Sequence, residues 1–279
     1  MTNIEHYAVF GSPIKHSKSP RIHKLFAEQT QQALVYDDQE VPAEQFQSAV
    51  SDFFEQGGKG LNCTLPLKEL AWSFADIKTE RAELSKAVNT LALQADGSIL
   101  GDNTDGVGLL TDLINNHQVK LSNTHVLILG AGGASRGIIL PILEQNVASL
   151  VIANRTIDKA INLANEFTHK GTITGCGFDD LANQQFDLII NATSSSLSND
   201  LPPLPENILR KNGVCYDLAY GNEPTTFVKW GKKNQASKSL DGLGMLVEQA
   251  AEAFFIWRGV RPNTKDVIAL LNAERGKVI

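Results

Sequence analysis

The sequence predicts an α/β protein of two domains, with at least one parallel sheet that helices cover on both faces. Short buried strands alternate with amphipathic helices along most of the 279 residues. This alternation is typical of right-handed crossovers between parallel strands. A glycine-rich turn at Gly130 also follows one predicted strand and opens a helix. Both observations favour an α/β class over an all-helical or all-β one.

The first hundred residues combine strands and helices in a less regular order. Ser19 followed by Pro20 is typical of a helix start, with Ser19 as the cap. Pro42 is expected to open a second helix, and Asp96 and Gly97 favour a hairpin turn. Strands are predicted at residues 6–11, 34–37, 60–65 and 88–93.

The rest of the chain alternates more cleanly. Strands are predicted at residues 125–130, 150–153, 186–191 and 214–218, and helices at residues 135–146, 157–167, 245–258 and from Thr264 onward. Pro141 should kink the first of these helices or limit its regularity. The boundaries are placed after residues 105 and 241, so residues 1–105 and 242–279 form one predicted domain and residues 106–241 the other.

Composition narrows the class of protein. Hydrophobic residues make up 42% and charged residues 20%, which predicts a folded core, and a net charge of −6 argues against nucleic-acid binding. No apolar run approaches the roughly 18 residues of a membrane helix. With no secretory signal, a soluble cytoplasmic protein without membrane contact is expected. Cys63, Cys176 and Cys215 are too scattered for a disulfide framework or a zinc site, so no metal is predicted.

The turn at Gly130 has the features of a dinucleotide site. Gly130 permits the tight turn, and Gly132 lets the backbone approach a pyrophosphate that the helix N-terminus would hold. The third glycine of the usual pattern falls on Ser135, so the match is imperfect. The alternative is an ordinary tight connection between strand and helix. The context favours a Rossmann-type, doubly wound domain.

The next predicted strand ends at Ala153, and the residues after it indicate which dinucleotide binds. An NAD site would place an acidic residue there for the ribose 2′-hydroxyl, and none is present. Arg155, helped by Thr156 and Lys159, could instead bind a 2′-phosphate. NADP(H) is therefore the predicted cofactor, although Arg155 could also be a solvated charge.

Polar residues upstream of this turn suit a small ligand with a carboxylate and hydroxyl groups. Several have a plain structural alternative, such as helix capping for Ser19, a surface ammonium for Lys68 and a structural hydrogen bond for Gln249, whereas Ser17 has no local structural role. Lys68 and Asp105 are expected on separate polar loops, where they suggest paired proton-transfer groups. The set comprises Ser17, Ser19, Asn62, Thr64, Lys68, Asn89, Asp105 and Gln249.

Taken in order, these motifs resemble the shikimate dehydrogenase family over nearly the whole chain. The resemblance is carried by Ser17 to Pro20, Asn62 to Lys68, Ala87 to Thr90, Gly101 to Gly106, Gly130 to Ala134, Asn154 to Thr156, Asn191 to Thr193, Asp217 to Tyr220, and Asp241 to Leu246 with Gln249. Cys63 stands where valine is more typical, and Leu218 where methionine often occurs. Neither departure removes a polar group of the site.

The resemblance implies NADPH-dependent, reversible reduction of 3-dehydroshikimate to shikimate, a step of chorismate and aromatic amino-acid biosynthesis. It implies a substrate-binding α/β domain beside the Rossmann domain, and Lys68 with Asp105 as the catalytic pair. Ser17 and Ser19 would bind the substrate carboxylate, while Thr64, Asn89, Asp105, Tyr220 and Gln249 would contact ring hydroxyls or frame the site. The cofactor would contact Gly130, Ala131, Gly132, Gly133, Ala134, Asn154, Arg155, Thr156, Lys159, Thr193, Leu218 and Gly242.

Alternatives remain at this point. The chain could be a quinate/shikimate or aminoshikimate dehydrogenase, or a regulator that binds NADPH without turnover. The last would keep the glycine turn and Arg155 but lose part of the upstream polar set, which is complete here. The expected partner is a small-molecule substrate, and the protein is expected to be a monomer or a homodimer.

Overall fold

A computed structural model describes residues 4–193, 195 and 200–276. Contacts divide the chain into two compact units. Unit 1 comprises Met1–Gly108 and Val247–Ala269, and unit 2 comprises Leu109–Leu246 and Leu270–Ile279. These borders differ from those predicted after residues 105 and 241. They also assign residues 270–276 to unit 2, where Arg275 forms a 2.5 Å ion pair with Asp241.

Helices of six to sixteen residues alternate with the strands in both units. They are α1 (Ser19–Thr30), α2 (Phe46–Glu55), α3 (Lys68–Phe74), α4 (Glu80–Ser85), α5 (Asp105–Thr111), α6 (Gly133–Leu143), α7 (Ile157–Glu166), α8 (Thr226–Lys233), α9 (Leu243–Arg258) and α10 (Thr264–Glu274). Short 3₁₀ turns cover Ala43–Gln45 and Asp179–Leu181, and a π-helical turn covers Asp112–Asn116.

Unit 1 contains a mixed sheet. Its strands are β1 (Glu5–Gly11), β2 (Leu34–Glu40), β3 (Gly58–Cys63), β4 (Ile77–Lys78), β5 (Thr90–Leu93) and β6 (Ile99–Asp102). The order is β2-β1-β3-β5-β6-β4, with β1 parallel to β2 and β3, and β5 antiparallel to β3 and β6. Because Phe10 of β1 pairs with Cys63 of β3, the segments after these strands leave the sheet at the same edge.

The start of α1 differs from the prediction. Lys18 is the N-cap and Ser19 is the first helical residue, so Ser19 does not cap the helix through its side chain. Pro20 lies in the first turn, as expected, since its missing N–H has no helical acceptor there. Ser17 instead supports the turn, because its Oγ accepts a 3.3 Å hydrogen bond from the Ser19 N–H.

Unit 2 contains a parallel sheet, as predicted. Its strands are β7 (His125–Leu129), β8 (Ser149–Ala153), β9 (Ile173–Cys176), β10 (Phe186–Asn191), β11 (Leu209–Asp217) and β12 (Lys238–Asp241), in the order β12-β11-β10-β7-β8-β9. Each neighbouring pair is parallel. Buried aliphatic runs such as residues 126–129 form the strands, as expected for a sheet covered on both faces. The Rossmann-type prediction is confirmed.

Pro141 lies inside α6, which ends two residues later, at Leu143. The helix begins two residues before the predicted span of residues 135–146 and ends three residues before its end. Asn146 adopts a left-handed conformation with φ +56, which does not continue a helix. Within the described residues, no helix is both long enough and apolar enough to cross a membrane.

Candidate active site

Lys68 and Asp105 meet in unit 1. Lys68 Nζ lies 2.5 Å from Asp105 Oδ2, and the two side chains are only 16% and 8% exposed. The prediction that both lie on loops is wrong, because Lys68 begins α3 and Asp105 begins α5. Helical starts hold both backbones more firmly than loops would. The Lys68 carbonyl also accepts a 2.9 Å bond from the Val88 N–H, which ties α3 to the segment before β5.

Asn103 builds the turn that presents Asp105. Its Oδ1 accepts a 3.1 Å bond from the Asp105 N–H, an Asx turn that leads into α5. Its Nδ2 donates to the Ala87 carbonyl at 2.9 Å. Asn103 is 1% exposed, so its amide has a structural role within the protein. The turn therefore positions Asp105 before any ligand arrives.

Asn89 is the centre of the buried polar cluster. Its Nδ2 donates to Asp105 Oδ1 and Thr104 Oγ1, both at 2.9 Å, and to Gln249 Oε1 at 3.3 Å. Its Oδ1 accepts from the Thr104 N–H at 2.9 Å and from Thr90 Oγ1 at 2.9 Å. Asn89, Gln249 and the ion pair are thus brought together, and Thr104 joins them although the sequence did not single it out as a ligand residue.

Ser17, Ser19 and Thr64 follow the carboxyl ends of β1 and β3. A Cβ added at Gly11 would overlap the Thr64 methyl, so Thr64 lies directly against the end of β1. The Ser12 N–H donates to the Leu65 carbonyl at 3.1 Å, which joins the two segments. Ser17 is half-buried and Ser19 is buried. Ligands in α/β proteins commonly bind at this edge of a sheet.

Asn62, which the sequence places among the candidate ligand residues, makes hydrogen bonds at both ends of its amide. Its Oδ1 accepts a 2.7 Å bond from the Tyr36 hydroxyl, and its Nδ2 donates to the Asn89 carbonyl at 3.0 Å. Both ends of the amide are therefore bonded inside unit 1. Tyr220 belongs to unit 2, after β11, and burial raises the pKa of its hydroxyl. The role of Tyr220 in substrate binding stays a prediction.

The glycine turn has the shape that a dinucleotide requires. Gly130 adopts φ +103, and a Cβ there would lie 3.0 Å from the Ala192 carbonyl, so only glycine fits without strain. A Cβ at Gly132 or Gly133 would meet open space, which leaves the start of α6 accessible to phosphate groups. Ser135 replaces the expected third glycine and donates to the Gly130 carbonyl at 2.8 Å, which braces the turn.

The other predicted cofactor residues follow the carboxyl ends of neighbouring parallel strands. Asn154 follows β8, Thr193 follows β10, Leu218 follows β11 and Gly242 follows β12. Asn154 Nδ2 donates to the Thr156 carbonyl at 2.9 Å, which shapes the turn into α7. Arg155, Thr156 and Lys159 are exposed there, while Ala131 and Ala134 flank the glycines of the first turn. These residues fit NADP(H), whose 2′-phosphate needs an accessible cation and whose pyrophosphate needs a helix start.

The three cysteines are free thiols, and Cys63 and Cys215 are buried. Burial raises the pKa of both thiols. Both side chains therefore pack as small apolar groups. Among the described residues, no group of three or more His, Cys, Asp or Glu side chains could hold a metal ion.

Comparison with known proteins gives consistent family names across the chain. Family models match at residues 9–91 (shikimate dehydrogenase substrate binding domain), 112–200 (shikimate / quinate 5-dehydrogenase) and 242–271 (shikimate 5'-dehydrogenase C-terminal domain). The chain is 60% identical to the shikimate dehydrogenase (NADP(+)) of Methylococcus capsulatus over 275 residues, which cover 99% of each chain.

Solved structures share the fold over nearly the whole length. An Ael1 enzyme from Pseudomonas putida is 47% identical with a TM-score of 0.89, and the match covers 96% of this chain and 98% of that chain. Shikimate 5-dehydrogenase from Thermus thermophilus, in complex with NADP(H) and shikimate, is 30% identical with a TM-score of 0.84. That match covers 95% of this chain and 98% of the other.

Proposed function

The chain belongs to the shikimate dehydrogenase family, and we propose that it reduces 3-dehydroshikimate to shikimate reversibly, with Lys68 and Asp105 as the catalytic pair. The observation that carries the assignment of the pair is the 2.5 Å contact between Lys68 Nζ and Asp105 Oδ2. It lies in a cluster of amides and hydroxyls that suits a polar substrate. Unit 1 would bind the substrate, and unit 2 would bind the cofactor.

Substrate binding follows from the chemistry of the groups at the end of β1 and β3. Ser17 and Ser19 are hydroxyl donors beside the start of α1, where a carboxylate is favoured by the helix dipole. Thr64, Asn89 and Gln249 offer the hydrogen bonds that ring hydroxyls need. Asn62 is bonded through its amide to the Tyr36 hydroxyl and to the Asn89 carbonyl, and so supports Asn89.

Lys68 is the group that carries the proton. The ketone oxygen must gain a proton as it becomes an alcohol, and an ammonium has three N–H donors, of which one points to Asp105 Oδ2. Asp105 accepts bonds at both oxygens, from Asn89 at Oδ1 and from Lys68 at Oδ2. This pattern suits an ionised carboxylate that orients Nζ. In oxidation, Lys68 Nζ takes the proton back from the hydroxyl.

NADPH supplies the hydride when it is bound, and unit 2 provides the residues to hold it. The amides at the start of α6 bind the pyrophosphate, and Arg155 binds the 2′-phosphate through charge-assisted hydrogen bonds. Thr156 and Lys159 lie beside Arg155 and are also exposed. These residues support a preference for NADP(H) over NAD(H). The complete upstream cluster favours an enzyme over a regulator that only binds NADPH.

The test is an assay of NADP⁺ reduction by the purified chain, followed through NADPH absorbance. Shikimate should give the highest kcat/KM, quinate should be the matched poor substrate, and NAD⁺ should replace NADP⁺ weakly. No turnover with shikimate, or a preference for NAD⁺, would contradict the assignment.

We also propose a cytoplasmic location, because three free cysteines suit a reducing compartment.

A further inference from the structure

A buried pair of stacked rings, Tyr36 and His23, lies in unit 1 and is connected by hydrogen bonds to the cluster around Asn89, Asp105 and Lys68. Tyr36, on β2, is 8% exposed, and His23, on α1, is 1% exposed. Their rings stack with centroids 4.0 Å apart and planes inclined by 6°. Neither residue belongs to the set of ligand residues that the sequence indicated. Burial of a polar group is costly unless it is hydrogen-bonded. The Tyr36 hydroxyl is bonded, whereas neither ring nitrogen of His23 has a hydrogen-bond partner among the described residues.

The Tyr36 hydroxyl fixes the amide of Asn62. It donates to Asn62 Oδ1 at 2.7 Å, which leaves Asn62 Nδ2 to donate to the Asn89 carbonyl at 3.0 Å and to Thr90 Oγ1 at 3.1 Å. The Asn89 carbonyl can only accept, so it sets which way the Asn62 amide faces. In that orientation the Tyr36 hydroxyl is the donor that satisfies Asn62 Oδ1 and holds it in place. If the hydroxyl were removed, Asn62 Oδ1 would lose its partner inside a buried cluster.

The same bonds continue to the proposed catalytic pair. Thr90 Oγ1 donates to Asn89 Oδ1, and Asn89 Nδ2 donates to Asp105 Oδ1, both at 2.9 Å. Asp105 Oδ2 then accepts the bond from Lys68 Nζ. An unbroken series of hydrogen bonds thus runs from the Tyr36 hydroxyl to the Lys68 ammonium. Buried networks of this kind hold their members in one arrangement when every member is bonded.

His23 holds the Tyr36 ring in place. The two stacked planes leave the phenol little freedom to rotate away from Asn62. Burial lowers the pKa of His23 to about 3, with the neighbouring Asn62 acting in the opposite direction. The imidazole is therefore neutral at pH 7 and packs without an unpaired charge.

We propose that Tyr36 is a positioning residue for the reaction: stacked on His23, its hydroxyl fixes the Asn62 amide and, through Asn89, the orientation of Asp105 and Lys68. The inference rests on the proposed function of the pair. Tyr36 contacts no reacting atom in this account. Its effect is on where the proton donor points, which matters more in the transition state than in substrate binding.

Tyr36→Phe tests this inference, with Tyr7→Phe as the matched control. Tyr7 pairs with Tyr36 in the β1–β2 register and is 2% exposed, but its hydroxyl donates to Glu5 at 2.9 Å. Tyr36→Phe should lower kcat for shikimate oxidation about tenfold, as expected for one lost buried hydrogen bond. The KM for NADP⁺ should be unchanged. Tyr7→Phe should lower the Tm about as much as Tyr36→Phe does, but it should leave kcat unchanged.

A double variant separates positioning from a general loss of packing. In a Lys68→Ala background, Tyr36→Phe should cost less than about twofold in the residual kcat, because its effect acts through Lys68. Persistence of the tenfold loss in that background would overturn the proposal. Equal losses of kcat in Tyr36→Phe and Tyr7→Phe would also overturn it. A Tyr36→Phe variant that changes only the KM for shikimate, with kcat unchanged, would do the same. The rates of the native enzyme and of Lys68→Ala test the proposed function without Tyr36. A failure of the proposed function can therefore be distinguished from a failure of the proposal for Tyr36.

Discussion

Lowering the pH from 7 to 4.5 should destabilise unit 1 of the native protein more than unit 1 of a His23→Phe variant. Burial lowers the pKa of His23 in the folded state to about 3, below its ordinary value of 6.5. At pH 7 the ring is mostly neutral in both states, so the shift costs little stability. As the pH falls below 6.5, the unfolded chain binds a proton that the folded protein does not accept until about pH 3. Stability is therefore lost across this window.

The size of the effect follows from the same shift. Each pKa unit corresponds to about 1.36 kcal/mol, so at pH 4.5, two units below the ordinary pKa of 6.5, His23 should cost about 3 kcal/mol of unfolding free energy. Phenylalanine keeps a ring against Tyr36 and cannot be protonated. The His23→Phe variant should lack this part of the acid sensitivity, while the contributions of other groups should be common to both proteins.

Urea unfolding at pH 7 and pH 4.5 measures the difference. The ring of Trp257 lies 5.4 Å from that of His23, so its fluorescence reports on this part of unit 1. A Trp230→Phe background removes the tryptophan of α8 in unit 2. His169→Gln, at an exposed position, is the control and should keep the native pH dependence. Equal losses of stability, within about 0.5 kcal/mol, in native protein and His23→Phe would refute the reasoning.

Further predictions concern both units. Ser17→Ala should raise the KM for shikimate at least about tenfold, as expected for a lost bond to a charged group, and an unchanged KM would remove Ser17 from the carboxylate site. Arg155→Ala should raise the KM for NADP⁺ at least about tenfold and leave that for NAD⁺ unchanged. Equal changes for both coenzymes would contradict its 2′-phosphate role. Gly244→Ala should destabilise the protein by about 1–3 kcal/mol in urea unfolding, because the added methyl would overlap the buried Asp112 carboxylate. Gly133→Ala, whose methyl meets open space, is the control, and equal stability of the two variants would argue against this overlap.

The sheet of unit 2 could be predicted where its strands are buried apolar runs. Residues 126–129 and 186–191 form such runs, and the structure confirms both strands. The edge strand Lys238–Asp241 was missed because none of its residues is fully buried and it has no apolar run. Ile173–Cys176 was missed for a similar reason, since threonine and glycine interrupt it. Runs of apolar residues thus mark strands that are buried on both faces. Edge strands are less buried and have few such runs, so the sequence does not reveal them.

Candidate site residues could be named from the sequence, but the hydrogen bonds among them could not be predicted. Lys68 and Asp105 stand in polar motifs with chemical types that suggest proton transfer, and the structure brings them together. The bond from Tyr36 to Asn62 depends on strands β2 and β3 lying on either side of β1, which no local pattern specifies. Tyr36 itself reads as an ordinary core aromatic within a strand. The pairing of the strands was therefore needed to find the hydrogen bonds that connect Tyr36 with the candidate site residues.

The most direct test of the central claim is the kinetics of Lys68→Ala beside Lys24→Ala, a control whose side chain is 70% exposed on α1. Lys68→Ala should lower kcat for shikimate oxidation by about 10²–10⁴-fold, the range for a lost general acid–base group. The Kd for shikimate, measured by calorimetry, should change much less, and Lys24→Ala should match the native enzyme. Near-normal turnover in Lys68→Ala would contradict the role of the Lys68–Asp105 pair in catalysis.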